Sequence, residues 1–105
     1  TRGRLDARLD TDRQDTLLTW AARHGQAEAA RLLLEADASV GATNGTGRAA
    51  LFIACQEDCP EIAALLLEAG AAINQAGEDG ATPLYIACEK GHLDVARLLQ
   101  QAGAA

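Results

Sequence analysis

Apolar positions recur with a helical period in three separated stretches. Ala29, Leu32, Leu33 and Ala36 fall at i, i+3, i+4 and i+7, as do Ile62, Leu65, Leu66 and Ala69, and again Val95, Leu98, Leu99 and Ala102. Each set therefore lies along one face of a helix. Glu28, Glu61 and Asp94 stand in or near the first turns, where the helix dipole favours negative charge. Pro60 suits a first helical position, because its missing N–H would have no partner there. Gly70 and Gly103 follow the last turns as left-handed caps, and Asp37, which tolerates that conformation less well, holds the corresponding place in the first stretch. Ahead of each of these helices, a shorter Ala-rich run predicts another, at about 17–24, 50–57 and 83–90. Thr16 and Thr82 are placed to cap two of these, and Pro83 to begin the third.

The two sets of helices alternate at a fixed interval. Leu18-Thr19-Trp20-Ala21-Ala22, Leu51-Phe52-Ile53-Ala54-Cys55 and Leu84-Tyr85-Ile86-Ala87-Cys88 are offset by 33 residues, and the same offset joins Leu32-Leu33 to Leu65-Leu66 and Leu98-Leu99. Segments between the units, such as Ala71–Gly80, are rich in Gly, Asn and Asp and predict turns. Units of this size cannot bury their own apolar faces and must stack on their neighbours. Function is then expected on a repeated surface and not in a single pocket. The expected organisation is one domain, 1–105, with units at 13–45, 46–78 and a truncated 79–105. Residues 1–12 form an N-terminal cap or the remnant of an earlier unit, in which Leu5-Asp6 echoes Ile73-Asn74.

Composition narrows the function. With only three aromatic residues, the core must be built mainly from Ala, Leu and Ile. No run of about 18 apolar residues is present to span a membrane as a helix, and the Arg-containing N-terminus has no apolar segment behind it, unlike a signal peptide. Lacking an initial Met and stopping at Ala105 within a unit, the chain reads as part of a longer protein. The net charge of −6 lies entirely in the second half: residues 1–48 balance seven Arg against seven acids, while residues 49–105 set Lys90 and Arg97 against eight. Direct nucleic-acid binding, which needs positive charge to release counterions, is disfavoured; a neutral or basic protein partner is easier to accommodate.

Asp79-Gly80-Ala81-Thr82-Pro83-Leu84, then Ala87, Gly91-His92, Leu98-Leu99 and Gly103-Ala104, resemble the ankyrin repeat. The likeness is clearest in the third unit and weakest in the first, where Leu17 replaces Pro and Gln26 replaces His. It implies an all-α solenoid of helix–turn–helix units joined by β-hairpin-like loops, whose hairpin tips and first helices form a concave, non-catalytic, protein-binding face. Carried over position by position, the implied partner-binding residues are Arg13, Asp15, Arg23 and His24 in the first repeat. They continue with Arg48, Gln56 and Glu57 in the second, and Glu78, Asp79, Glu89 and Lys90 in the third. Ile73-Asn74 also resembles the hairpin Val-Asn that an intracellular asparaginyl hydroxylase modifies in such repeats, although Ala72 departs from the usual acid. Two further departures matter. Thr19, Phe52 and Tyr85 stand where the family has His, so the usual Thr–His hydrogen bond is not carried over. Asp58-Cys59 replaces Gly-His, so that interhelical turn is expected to be distorted.

Catalytic chemistry finds little support. Cys55 and Cys88 occupy equivalent positions where the family has a small Ala, and both are expected to be buried. Packed helices sit roughly 8–10 Å apart, too far for a disulfide whose Cα atoms lie within about 7 Å. Cys59 is a candidate thiol, but no His adjoins it. Three unpaired cysteines suit a reducing, intracellular compartment, cytoplasmic or nuclear. His24 and His92 belong to different repeat positions, and His92 matches the family's hydrogen-bonding turn histidine. No Cys-x-x-Cys or His-Glu-x-x-His is present, and Gly41–Gly47 lacks the Lys-Ser/Thr ending of a phosphate loop. No catalytic residue, metal or cofactor is expected, and the chain is expected to be monomeric. Trp20 holds a core position, yet as the single Trp it is also a candidate anchor for a partner. Two other classes remain open: a substrate-recruiting or regulatory segment of a larger enzyme such as a ubiquitin ligase, and a structural or engineered repeat scaffold.

Overall fold

Helix boundaries in the computed structural model, which describes residues 16–104, fall where the caps and prolines sit. The order is α1 (Leu17–Arg23), α2 (Ala27–Glu35), α3 (Ala50–Gln56), α4 (Pro60–Glu68), α5 (Pro83–Glu89) and α6 (Leu93–Gln101). Thr16 Oγ1 accepts from the Thr19 N–H and Thr82 Oγ1 from the Tyr85 N–H, sealing the starts of α1 and α5. Pro60 and Pro83 open α4 and α5. Ala49, at the position of those threonines, offers α3 no side-chain cap; its loop is instead held by an antiparallel bridge from Thr43 to Ala49. Among the described residues no strand or sheet forms, and the fold is an all-α repeat.

The helices end alike. After each second helix, the residue beyond the cap has positive φ, 72° at Asp37, 95° at Gly70 and 102° at Gly103. The next N–H then reaches back along the last turn, from Ala38 to the Leu33 carbonyl, Ala71 to Leu66 and Ala104 to Leu99, at 2.9–3.0 Å. This is a Schellman ending, which satisfies the orphan carbonyls of the last turn. The interhelical turns repeat it: Gln26 N–H bonds the Ala21 carbonyl, Cys59 that of Ala54, and His92 that of Ala87, each at 2.9 Å. The distortion expected at Asp58-Cys59 is absent. Asp58 adopts φ 58°, beside 67° at Gly25 and 74° at Gly91, because Asp is one of the few residues whose short polar side chain tolerates the left-handed region.

First helices stack on first helices, α1 on α3 on α5, and second on second, α2 on α4 on α6, while each pair also packs internally. Comparing equivalent positions shows which way each side chain looks along the stack. Phe52 is 2% exposed but Tyr85, one repeat on, is 55% exposed, so that position faces forward. Trp20 is 37% exposed whereas Ile53 is 1% exposed, so that one faces backward. Cys88 corrects the sequence expectation in the same way: Cys55 is buried, but its equivalent Cys88 is exposed, because no described element packs on the forward face of the third repeat.

Leu66 is fully buried in the middle repeat, whereas Leu93 is 68% exposed. Leu66→Ala should cost about 2–5 kcal/mol through lost transfer energy and a residual cavity, and Leu93→Ala no more than about 0.5 kcal/mol. Urea unfolding followed by circular dichroism measures both; equal midpoints would contradict this core.

Candidate protein-binding face

The two described hairpin loops share one backbone pattern. The Asn44 N–H donates to the Arg48 carbonyl and the Gly77 N–H to that of Ala81, and the turns close through Gly47 to Asn44 and Gly80 to Gly77. Different side chains brace them. Asn44 is buried, and its Oδ1 accepts from the Thr46 N–H, the Thr46 hydroxyl and the Arg48 N–H; Asp79 Oδ1 accepts from the Ala81 N–H. Gly47, with φ 76°, has no room for a side chain, since a Cβ there would fall 2.5 Å from Glu78 Cγ. The second hairpin therefore lies directly against the first.

Arg48 clamps them together. Its Nη2 donates to Asp79 Oδ2 at 2.7 Å, and its guanidinium carbon stands 4.5 Å from the Phe52 ring centroid, a stacked cation–π contact. The Ala81 N–H and then Arg48 hold the Asp79 carboxyl below its ordinary range. Arg48 and Asp79, both expected from the sequence to face a partner, are thus engaged with each other. Asp79 is well exposed, so solvent screens the pair and its contribution depends on salt.

Glu78 lies exposed in the second hairpin, its side chain beside Gly47, and six other candidates form two rows at the C-terminal ends of α1, α3 and α5. Arg23, Gln56 and Glu89 are equivalent, and so are His24, Glu57 and Lys90, which cap their helices with φ −101°, −94° and −85°. Every member of the second row is exposed. The backbone is constant along the row while the charge changes from imidazole to carboxylate to ammonium. Local contacts brace several members: Gln56 donates to Glu57 at 3.1 Å, the Tyr85 hydroxyl to Glu89 at 3.3 Å, and the Trp20 and His24 rings lie 4.8 Å apart. Trp20, at a backward-facing position buried in the other two repeats, touches this row through His24. Arg13, Asp15 and the proposed cap 1–12 lie outside the described residues. Asn74 is exposed in the turn after α4.

His92 makes the turn hydrogen bond that the resemblance implies, and Cys59 gains a related role that sequence reasoning missed. The His92 ring Nδ1 lies 3.1 Å from the Cys55 carbonyl, and since a carbonyl only accepts, the ring donates. One repeat earlier, Cys59 Sγ lies 3.8 Å from the equivalent Ala22 carbonyl and 3.5 Å from that of Glu57, so its single S–H is shared between a local acceptor and a weaker version of the same tie. The 33-residue offset, applied to both partners at once, would have exposed it. Burial pushes the Cys59 thiol up from its ordinary value, followed by the charges of Glu57 and Asp58, which is the reverse of what a nucleophilic cysteine needs. Burial, then Cys59, pushes Cys55 up to about 12. Among the described residues no cluster of three His, Cys, Asp or Glu is arranged to hold a metal, and no helix is long and apolar enough to cross a membrane.

Stacked helix pairs with invariant turns and chemically variable rows define a helical-repeat solenoid. The chain matches the family described as ankyrin repeats (3 copies) over residues 3–77 and again over 40–105, and it belongs to the ankyrin-repeat family. Members of that family generally serve as protein–protein interaction modules and are typically non-catalytic. No curated protein matches the sequence.

Two outcomes are expected. Asp79→Asn keeps an acceptor for Ala81 but removes the charge. Because the folded pKa lies below the ordinary 3.8, the charge stabilises the fold above that value, and its contribution is lost as pH falls through the lower folded pKa. Urea midpoints of wild type and Asp79→Asn should therefore differ at pH 6, begin to converge as pH falls below about 3.8 and meet only below the lower folded pKa, with a smaller gap at high salt. Separately, a thiol reagent followed by mass spectrometry should label Cys88 first and Cys55 only on unfolding; rapid native labelling of Cys55 would contradict its burial.

Proposed function

We propose that this chain is a non-catalytic adaptor module, which binds a protein partner through the concave surface formed by its hairpins and first helices. The observation that carries this reading is the row His24, Glu57 and Lys90: one repeat position, one backbone conformation, three different charges, all exposed. Such a row contributes little to folding, since exposed substitutions shift stability by less than about 0.5 kcal/mol, and it is well suited to selecting a partner by complementary charge. Repeats at 13–45, 46–78 and 79–105, preceded by a cap, would set its spacing. The acidic second half favours a basic or neutral protein over nucleic acid. The three free cysteines favour a reducing, intracellular setting.

The test compares charge reversal on two faces. Arg48 is left intact, because it holds Asp79 and its loss would disturb the hairpins. Glu57→Lys with Lys90→Glu should weaken affinity for a protein captured by the immobilised chain by about fivefold or more. Glu68→Lys with Arg97→Glu, on the second helices, should change it far less, and both variants should melt like wild type. Equal losses from the two pairs would move the binding surface to the second-helix side.

A further inference from the structure

The first hairpin, which joins α2 to α3, holds the means of its own alteration. Asn44 is followed by Gly45, the one Asn-Gly step in the chain, and the pair lies inside the turn bracketed by the Thr43–Ala49 bridge. Gly45 is exposed and has no Cβ to shield its backbone nitrogen. Asn44 is buried, and its Oδ1 takes three donors: the Thr46 N–H at 3.0 Å, the Thr46 hydroxyl at 2.7 Å and the Arg48 N–H at 3.1 Å. Attack by the Gly45 nitrogen would make the planar Cγ tetrahedral and draw it into a five-membered ring. Those three bonds oppose that change for as long as the hairpin stays closed.

We propose that Asn44 is a site of spontaneous deamidation whose rate is set by opening of this hairpin, and that its isoaspartyl product disengages the hairpin from the second one. The Gly45 nitrogen bonds to Asn44 Cγ, the Cγ–Nδ2 bond breaks, and ammonia leaves with the proton that the Gly45 nitrogen gave up. Water then opens the succinimide without oxidation or reduction. Cleavage between the Gly45 nitrogen and Cγ gives aspartate; cleavage between that nitrogen and the main-chain carbonyl carbon gives isoaspartate. The two products are unequal. Aspartate keeps the acceptor that the Thr46 and Arg48 donors use, and a carboxylate receiving several such bonds is well stabilised. In isoaspartate the chain runs through Cβ and Cγ, longer by one carbon–carbon bond of about 1.5 Å. The oxygen that accepts from the Gly47 N–H then belongs to a carboxylate outside the chain, and the bond from the residue 44 N–H to the Arg48 carbonyl loses its register. Gly47 and Arg48 are the residues that meet the second hairpin, at Glu78 and Asp79, so the displacement reaches the seam between repeats. Asp79-Gly80 offers a related closure with water leaving, but an ionised carboxylate paired with Arg48 is a poor electrophile, and that route leaves the mass unchanged. None of this depends on the protein-binding reading.

The test incubates the full chain in mildly alkaline buffer, folded or in urea, and follows its mass, with peptide mapping to place the change and to separate aspartyl from isoaspartyl forms. Loss of ammonia and gain of water at Asn44 should run at least about tenfold faster in urea, since three bonds to Oδ1 are then already broken. Thr46→Val removes the hydroxyl donor and keeps the N–H. It should speed conversion about two- to tenfold under conditions where circular dichroism shows both chains fully folded, and leave the rate in urea unchanged. The isolated isoaspartyl chain should unfold at a lower urea midpoint than Asn44→Asp. Equal rates in the folded chain and in urea, conversion at Asn74 in place of Asn44, no response of the folded chain to Thr46→Val, or equal midpoints for the isoaspartyl and aspartyl forms would each overturn the proposal.

Discussion

Everything in this molecule depends on helices approaching closely along rows of alanine. Ala21, Ala54 and Ala87 are equivalent and fully buried, and so are Ala30 and Ala63, with Ala96 nearly so. Interaxial distance is set by the side chains at the contact, and a methyl group at each site lets the helices of neighbouring units and of one unit pack without gaps. Larger residues, Leu18, Leu51, Ile62, Leu66, Val95 and Leu99, fill the space around them. Burial comes from neighbours more than from within a unit, so the same residue type at the same repeat position is core in one unit and surface in another, as Cys55 and Cys88 show.

Polar ties cross the same seams. The Ala22 and Cys55 carbonyls sit at equivalent points, and each is reached from the following unit, by a thiol in one case and an imidazole in the other. Between the second and third units the ion pair of Arg48 with Asp79 and the stacking on Phe52 add a contact at the hairpins. The helix layers thus supply the apolar seam, and the hairpins a charged one that water and salt can weaken.

Much of this was legible in the residues alone. The three Leu-rich helices, the glycine caps of two of them and the threonine and proline starts follow from local rules, and the shorter first helices end within a residue of their expected spans. The charged rows were also legible, because the 33-residue offset aligns their members without any knowledge of packing. Less legible was where a long side chain goes. Arg48 and Asp79 are not repeat equivalents, so nothing in the periodicity pairs them; they meet because the second hairpin settles against Gly47. The turn at Asp58 was misjudged for another reason. Its conformation is imposed by the hydrogen bond from Cys59 to Ala54, and Asp can comply without glycine's freedom.

That turn carries a wider consequence. Asp58 differs chemically from Gly25 and Gly91, yet the N–H of the next residue closes each turn in the same way, so the unit is defined as a length more than as a set of residues. Substitution alters one side chain and leaves the phase of the stack untouched. Deleting a single residue within α3 would rotate the remainder of that helix by about 100°, carrying the chain out of step with both neighbours. Drift in composition and drift in spacing are therefore not comparable injuries to such a molecule: the first varies the surface it presents, and the second dissolves the frame that presents it.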